Sequence, residues 1–216
     1  MTKYLFPMIG LVVALCAVPR VASANIILNP NFFPANGGSG YGGVPNWTQS
    51  PFPSTLGGFP YLSGSNTSSQ PFWDQGTVPG GISTVGFIQV YPGSATNSLK
   101  QTMSLVVGVT YSLSYLENAR TGASPLVTVL VGSQTVVAQH TDSAVGVGHP
   151  FRLVTASFTA AAASADLIFS VAQQSPSNDA AALITDVQVN EVPEPVSLAL
   201  LGFGAASLYM IRRRPA

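Results

Sequence analysis

Apolar and polar residues alternate through the second half of the chain. Val109, Tyr111, Leu113 and Tyr115 share one parity, with Thr110, Ser112 and Ser114 between them. Period two puts successive side chains on opposite faces of an extended chain, so this run predicts a strand with one buried face. Val127, Val129 and Val131 form a second set, in a run apolar on both faces that suits a buried strand. Leu167, Phe169 and Val171 form a third, and Leu183, Val187 and Val189 a fourth. Further strands are predicted at 87–91, 99–105, 134–140 and 151–159, with Gly132-Ser133 as a tight hairpin turn. No stretch holds a 3.6 period. The helix-friendly run 160–163 is too short to form a helix alone.

About eight to ten short strands in one domain predict an all-β antiparallel two-sheet sandwich, a jelly roll. Upstream, residues 30–81 hold eight prolines and eleven glycines, and Asp74 is their only charge. Turn chemistry this dense rules out long helices and predicts loops joining short strands.

Charge narrows the partners. Charged residues make up 7% of the 216, against about 25% in an average soluble domain. Lys3 and Arg20 lie near one end, and Arg212, Arg213 and Arg214 at the other. Between Asn25 and Glu191, Lys100, Arg120 and Arg152 face Asp74, Glu117, Asp142, Asp166, Asp179, Asp186 and Glu191, a net charge of −4. A phosphate backbone would be repelled, which excludes a nucleic-acid partner.

The two ends read as addresses. Lys3, an apolar stretch over 4–18 and the small-residue site Ala22-Ser23-Ala24 form the three parts of a secretory signal peptide over 1–24, cut after Ala24. The apolar stretch is shorter than the roughly 20 residues a spanning helix needs. Leu15 is a poor residue to precede a lipidated Cys16. Cys16 is the chain's one cysteine, so cleavage leaves a protein without disulfide, thiolate nucleophile or thiolate ligand.

At the other end, Val192-Pro193-Glu194-Pro195 precedes an apolar run over 196–211 and then Arg212-Arg213-Arg214. Two prolines around one residue forbid helix and hold an extended segment. Sixteen helical residues span roughly 24 Å, enough for a thin or locally compressed bilayer. The three arginines stay cytoplasmic and leave the rest of the chain outside. A plain tail anchor would have the span and the charges but needs no Pro-Glu-Pro.

With Pro193-Glu194-Pro195, one hydrophobic span, a basic cluster and then almost nothing, residues 192–216 resemble a PEP-CTERM sorting signal. The resemblance covers about 25 residues and implies a partner, a membrane protease of the exosortase type that recognises and removes the tail. It also implies a route: export through the inner membrane, transient anchoring by the 196–211 helix, then the cell surface or extracellular matrix.

A second resemblance spans the domain over 25–191. Leu28-Asn29-Pro30-Asn31-Phe32, Val44-Pro45-Asn46-Trp47, Gly86-Phe87-Ile88-Gln89-Val90, Tyr111-Ser112-Leu113-Ser114-Tyr115 with Arg120 after it, and Leu183-Ile184-Thr185-Asp186-Val187 come in the order of the galactose-binding-like jelly rolls of secreted bacterial proteins. Their usual opening, Asn-Gly-Ser-Phe-Glu, is Asn-Pro-Asn-Phe-Phe here. No calcium or ligand role passes to an acidic residue that this chain lacks.

Catalytic patterns were sought along the whole chain. His140 and His149 lie nine residues apart, without a His-Glu-x-x-His or a cysteine pair, so no metal site or cofactor is expected. His140-Thr141-Asp142 spells two members of a triad without a Gly-x-Ser-x-Gly elbow. Gly38-Ser39-Gly40-Tyr41-Gly42-Gly43 spells a dinucleotide motif, but Pro45 follows where a helix should begin. Asp74, Glu117 and Asp142 are candidate acids for glycoside hydrolysis, and nothing in their spacing brings two to one cleft.

Aromatic residues outside the strands point to sugars, whose flat C–H faces stack on rings while their hydroxyls take hydrogen bonds. Trp73 with Asp74, and Tyr61 nearby, are candidate glycan-binding residues, with Glu117 and Arg120 at a strand end as partners. In the plainer alternative, Trp73 caps the sandwich and Arg120 pairs with Glu117 at the surface. Trp47 is expected in the core. The expected function is an exported, non-catalytic surface or matrix protein that binds exopolysaccharide. The alternative is a secreted hydrolase acting on glycans.

Overall fold

The period-two runs fold as strands. The computed structural model describes residues 24–33, 40–41, 44–50, 60–63, 84–90, 96–119, 124–141, 151–175 and 180–193. Most of the predicted signal peptide, the tail beyond Pro193, and Trp73, Asp74 and Arg120 lie outside them. Among the described residues there is no helix.

The strands are β1 (Gly40–Tyr41), β2 (Thr48–Ser50), β3 (Pro60–Ser63), β4 (Thr84–Val90), β5 (Thr96–Ser104), β6 (Thr110–Ala119), β7 (Pro125–Val131), β8 (Gln134–Thr141), β9 (Arg152–Thr159), β10 (Ser164–Gln173) and β11 (Ala180–Glu191). One sheet runs β1-β3-β4-β11-β6-β9 and the other β2-β5-β10-β7-β8. Every pairing is antiparallel. The chain crosses repeatedly between sheets, as a jelly roll requires. Asn25–Val192 form one compact unit.

The core lies between the sheets. Tyr111, Leu113 and Tyr115 of β6 point into it, as do Val127 and Val129 of β7 and Leu167, Phe169 and Val171 of β10. Tyr115 meets Phe169 edge-on with centroids 5.0 Å apart, and Tyr111 stacks on Phe158 at 5.5 Å.

One predicted set is corrected. Leu183 does not share a face with Val187 and Val189. It belongs to a second cluster, with Val85, Phe87, Leu116, Phe151 and Ala181, on the other face of its sheet. The β11–β6 register shifts between Thr185 and Gln188, and Asp186 takes φ +50°. This bulge inserts one residue and reverses the parity, so Ala182 and Ile184 face the core before it and Val187 and Val189 after it.

Two turns close one face of the core, and they share a design. In Asn29-Pro30-Asn31-Phe32 the Phe32 amide donates to the Asn29 carbonyl (3.1 Å), with proline at the second position. In Val44-Pro45-Asn46-Trp47 the Trp47 amide donates to the Val44 carbonyl (3.1 Å). Asn46 there has φ +70°, a left-handed value that asparagine tolerates and a type II turn requires. The two turns bring the Phe32 and Trp47 rings together, centroids 4.7 Å apart. Phe32 is fully buried and Trp47 nearly so.

Candidate functional site

Beside these turns lies an open cleft of about 290 Å³. Its size is near the lower end of ligand pockets, roughly 300–1,000 Å³. Leu28, Asn46, Trp47 and Thr48 form one wall, and Lys100, Gln101 and Thr102 of β5 the other.

Backbone hydrogen bonding fixes both walls. Gln101 is buried, and its amide ties the turns to the sheet: Nε2 donates to the carbonyls of Leu28 (2.8 Å) and Asn46 (3.0 Å), while Oε1 accepts from the Leu28 amide (2.8 Å). Trp47 Nε1 donates to the Asn29 carbonyl (3.1 Å). The Asn29 side chain holds its own loop, donating to the Phe33 carbonyl and accepting from the Phe33 amide. Buried polar groups satisfied in this way hold a wall in one geometry.

The β5 wall presents polar groups because of strand parity. Leu99 and Met103 turn into the core, leaving Lys100 and Thr102 on the outer face. Lys100 Nζ lies 2.9 Å from Asp166 Oδ2, and Thr102 Oγ1 donates to Asp166 Oδ1 (2.6 Å). The Thr102 hydrogen bond, reinforced by Lys100, holds the Asp166 carboxyl below its ordinary pKa. Asp166 is thus ionised at neutral pH and locked to two neighbours. Leu28, 59% exposed, gives the cleft an apolar lip. Such a site stacks a flat aliphatic face on Leu28 and offers hydrogen bonds from Asn46, Thr48, Lys100 and Thr102.

The residues singled out in the sequence fall elsewhere. Trp73, Asp74 and Arg120 lie outside the described residues, and Tyr61 is a backbone position in β3, paired with Gly40 and Gly86. Glu117 is not at the surface. Its side chain is fully buried, and it accepts hydrogen bonds from Arg152 Nη2 and from His140 Nε2 (2.9 Å). Position 117 continues the inward parity of Tyr111, Leu113 and Tyr115. Its partners come from β9, directly opposite in register, and from β8 of the other sheet. His140 thus faces Glu117, while Asp142 lies outside the described residues. Among the described residues no three His, Cys, Asp or Glu side chains are grouped to hold a metal ion.

The cleft escaped the sequence reading because its two walls are far apart in the chain. Outward parity at Lys100 and Thr102 and the two proline turns were its only local signals.

No family model matches this chain, and no curated protein matches it. Solved structures do. The arabinose-bound α-L-arabinofuranosidase MgGH51 superposes with a TM-score of 0.51 at 12% identity, over 79% of this chain and 27% of that one. The enzymatically active domain of bacteriophage CBA120 tailspike protein 4 matches at TM-score 0.48 and 16% identity, over 78% of this chain and 21% of the other. TmCBM61, in complex with β-1,4-galactotriose, matches at 0.47 and 17% identity, over 79% of this chain and 100% of its own. The chain therefore spans about a quarter of the arabinofuranosidase and about a fifth of the tailspike domain. At these identities the likeness is one of fold, the jelly-roll sandwich.

Proposed function

We propose that this chain is an exported, non-catalytic surface or matrix protein whose jelly roll holds a neutral glycan, and that its tail delivers it there. The observation that carries the binding half is the cleft: an apolar lip at Leu28 beside fixed hydrogen-bonding groups, in walls held by Gln101. The net charge of −4 over 25–191 disfavours an anionic ligand and leaves a neutral sugar. Exopolysaccharide is the ligand class that fits the destination implied by the tail.

A shallow site with one aliphatic face binds weakly, since contacts must first offset the cost of association. Binding is expected in the micromolar to millimolar range, about −4 to −8 kcal/mol. Leu28→Ser with Lys100→Ala should weaken binding at least about tenfold on a glycan array, a loss of roughly 1.4 kcal/mol. Both side chains are on the surface, so the thermal midpoint should barely move. If that variant binds normally and Trp73→Ala does not, the ligand site is the Trp73, Asp74, Tyr61 and Arg120 group instead of this cleft.

The delivery half rests on the sequence of the two ends. The cell-surface form should begin at Asn25 by N-terminal sequencing. Pro193→Ala with Pro195→Ala removes the helix block, lets the predicted span extend outward and hides the Pro-Glu-Pro segment from an exosortase-type protease. Unprocessed chain should then accumulate in the membrane fraction. Normal processing of that variant would reduce the tail to a simple anchor.

A further inference from the structure

One end of the sandwich carries no charge and two exposed valines. Residues 105–109, joining β5 to β6, and residues 160–163, joining β9 to β10, are arches that cross between the sheets side by side. Leu105 N donates to Ala163 O (2.9 Å), Gly108 N to Ala160 O (2.9 Å), and Ala160 N to Val109 O (3.0 Å). The Tyr111 hydroxyl accepts from the Val106 amide (2.9 Å), and Gly108 takes the φ of +84° that the turn needs. The arch is therefore rigid, yet Val106 and Val107 are 57% and 60% exposed at its crest. Neither 104–110 nor 159–164 contains a charged residue.

The chain leaves the domain at this same end. Val192, also exposed, donates its amide to the Thr110 carbonyl (2.8 Å) at the foot of the arch. Ile26 N donates to Val189 O (3.0 Å), which brings the start of the domain here too. Only Pro193, Glu194 and Pro195 separate Val192 from the apolar run at 196. Four residue steps reach at most about 14 Å. A ten-residue strand such as β6 is roughly 33 Å long. The valine end, and not the opposite one, is held against whatever surface receives the tail.

We infer that the Val106–Val107 arch is a membrane-docking tip, seated in the outer face of the bilayer that the 196–211 run enters. The inference rests on reading that run as membrane-inserted. Burying the exposed valines is favourable, and a tip without charges has no ion to desolvate. No lysine or arginine lies on either arch, so docking needs no anionic lipid. Docking fixes the domain upright and holds Pro193-Glu194-Pro195 at the membrane surface.

The test uses the full chain in palmitoyl-oleoyl phosphatidylcholine vesicles, with Cys16→Ser as background. An environment-sensitive fluorophore is placed at Val107→Cys or, at the opposite end, at Thr141→Cys. Label 107 should be blue-shifted and quenched by shallow spin-labelled lipids, and label 141 should show neither effect. Adding Val106→Asp should return label 107 to a water-like spectrum while the chain still floats with the vesicles. If the chain floats but label 107 reports water from the start, the docking tip is wrong and the membrane tail stands. A blue shift without lipid quenching assigns the tip to a second copy of the chain and also overturns the proposal. Failure to float removes the tail reading and the tip together.

Discussion

Phe32→Ala is expected to cost about 3–5 kcal/mol, lowering the thermal midpoint by roughly 6–20 °C in a domain of this size. The ring is fully buried, sits 4.7 Å from Trp47, and plugs the sheet over Gly86. A Cβ at position 86 would lie 2.8 Å from Phe32 Cε1 and 2.9 Å from Cδ1, so the glycine exists to admit the ring. Gly86→Ala alone should therefore overpack the site, at about 1–3 kcal/mol. In the double variant the new methyl enters space that the ring has vacated. The two losses should fall short of their sum by 0.5 kcal/mol or more, on the order expected for residues in direct contact. Phe32 also holds φ +56°, where glycine is unstrained and alanine is not. Phe32→Gly should consequently be no worse than Phe32→Ala, against the usual ranking. Denaturant midpoints of the five chains decide it, and simple additivity would mean that ring and glycine do not share one site.

The same turns show what was legible in the sequence and what was not. Asn-Pro-Asn-Phe and Val-Pro-Asn-Trp are local turn chemistry, readable from proline and asparagine alone. That Phe32 and Trp47 meet, and that Gln101 binds both turns, depends on tertiary contacts separated by up to 73 residues. Strand parity was readable wherever pairing is regular, as in β6, β7 and β10. It failed in β11, because a bulge at Asp186 inserts a residue without leaving a mark on the apolar pattern. Glu117 is the subtler case. Its parity pointed inward with Tyr115, but a carboxylate is placed at the surface by default unless its partners are known. Arg152 and His140 become its neighbours only through the β6–β9 register and the approach of β8 from the other sheet.

That buried carboxylate leads to the second large effect. Arg152→Ala leaves Glu117, fully enclosed, with His140 as its remaining charge-bearing neighbour in the cluster. Stripping a buried charge of its partner typically costs about 3–5 kcal/mol. The lower end applies here, since the Arg152 side chain is 54% exposed and its removal opens a path for water. Glu117→Gln should cost less, about 1–2 kcal/mol, because Arg152 can rehydrate and an amide can still accept a hydrogen bond. The order then inverts in combination. In the Arg152→Ala background no cation remains on β9 to balance the acid, so Glu117→Gln should restore stability that the single variant lost. A substitution that harms the parent chain would thus help the variant, with a coupling above about 1 kcal/mol. Since the carboxylate is shielded from solvent ions, moderate salt should leave the pattern intact. Unfolding curves of the four chains at one pH measure it. If the double variant is as unstable as Arg152→Ala or worse, the loss comes from the packing of the arginine stem, and the buried charge is not its source.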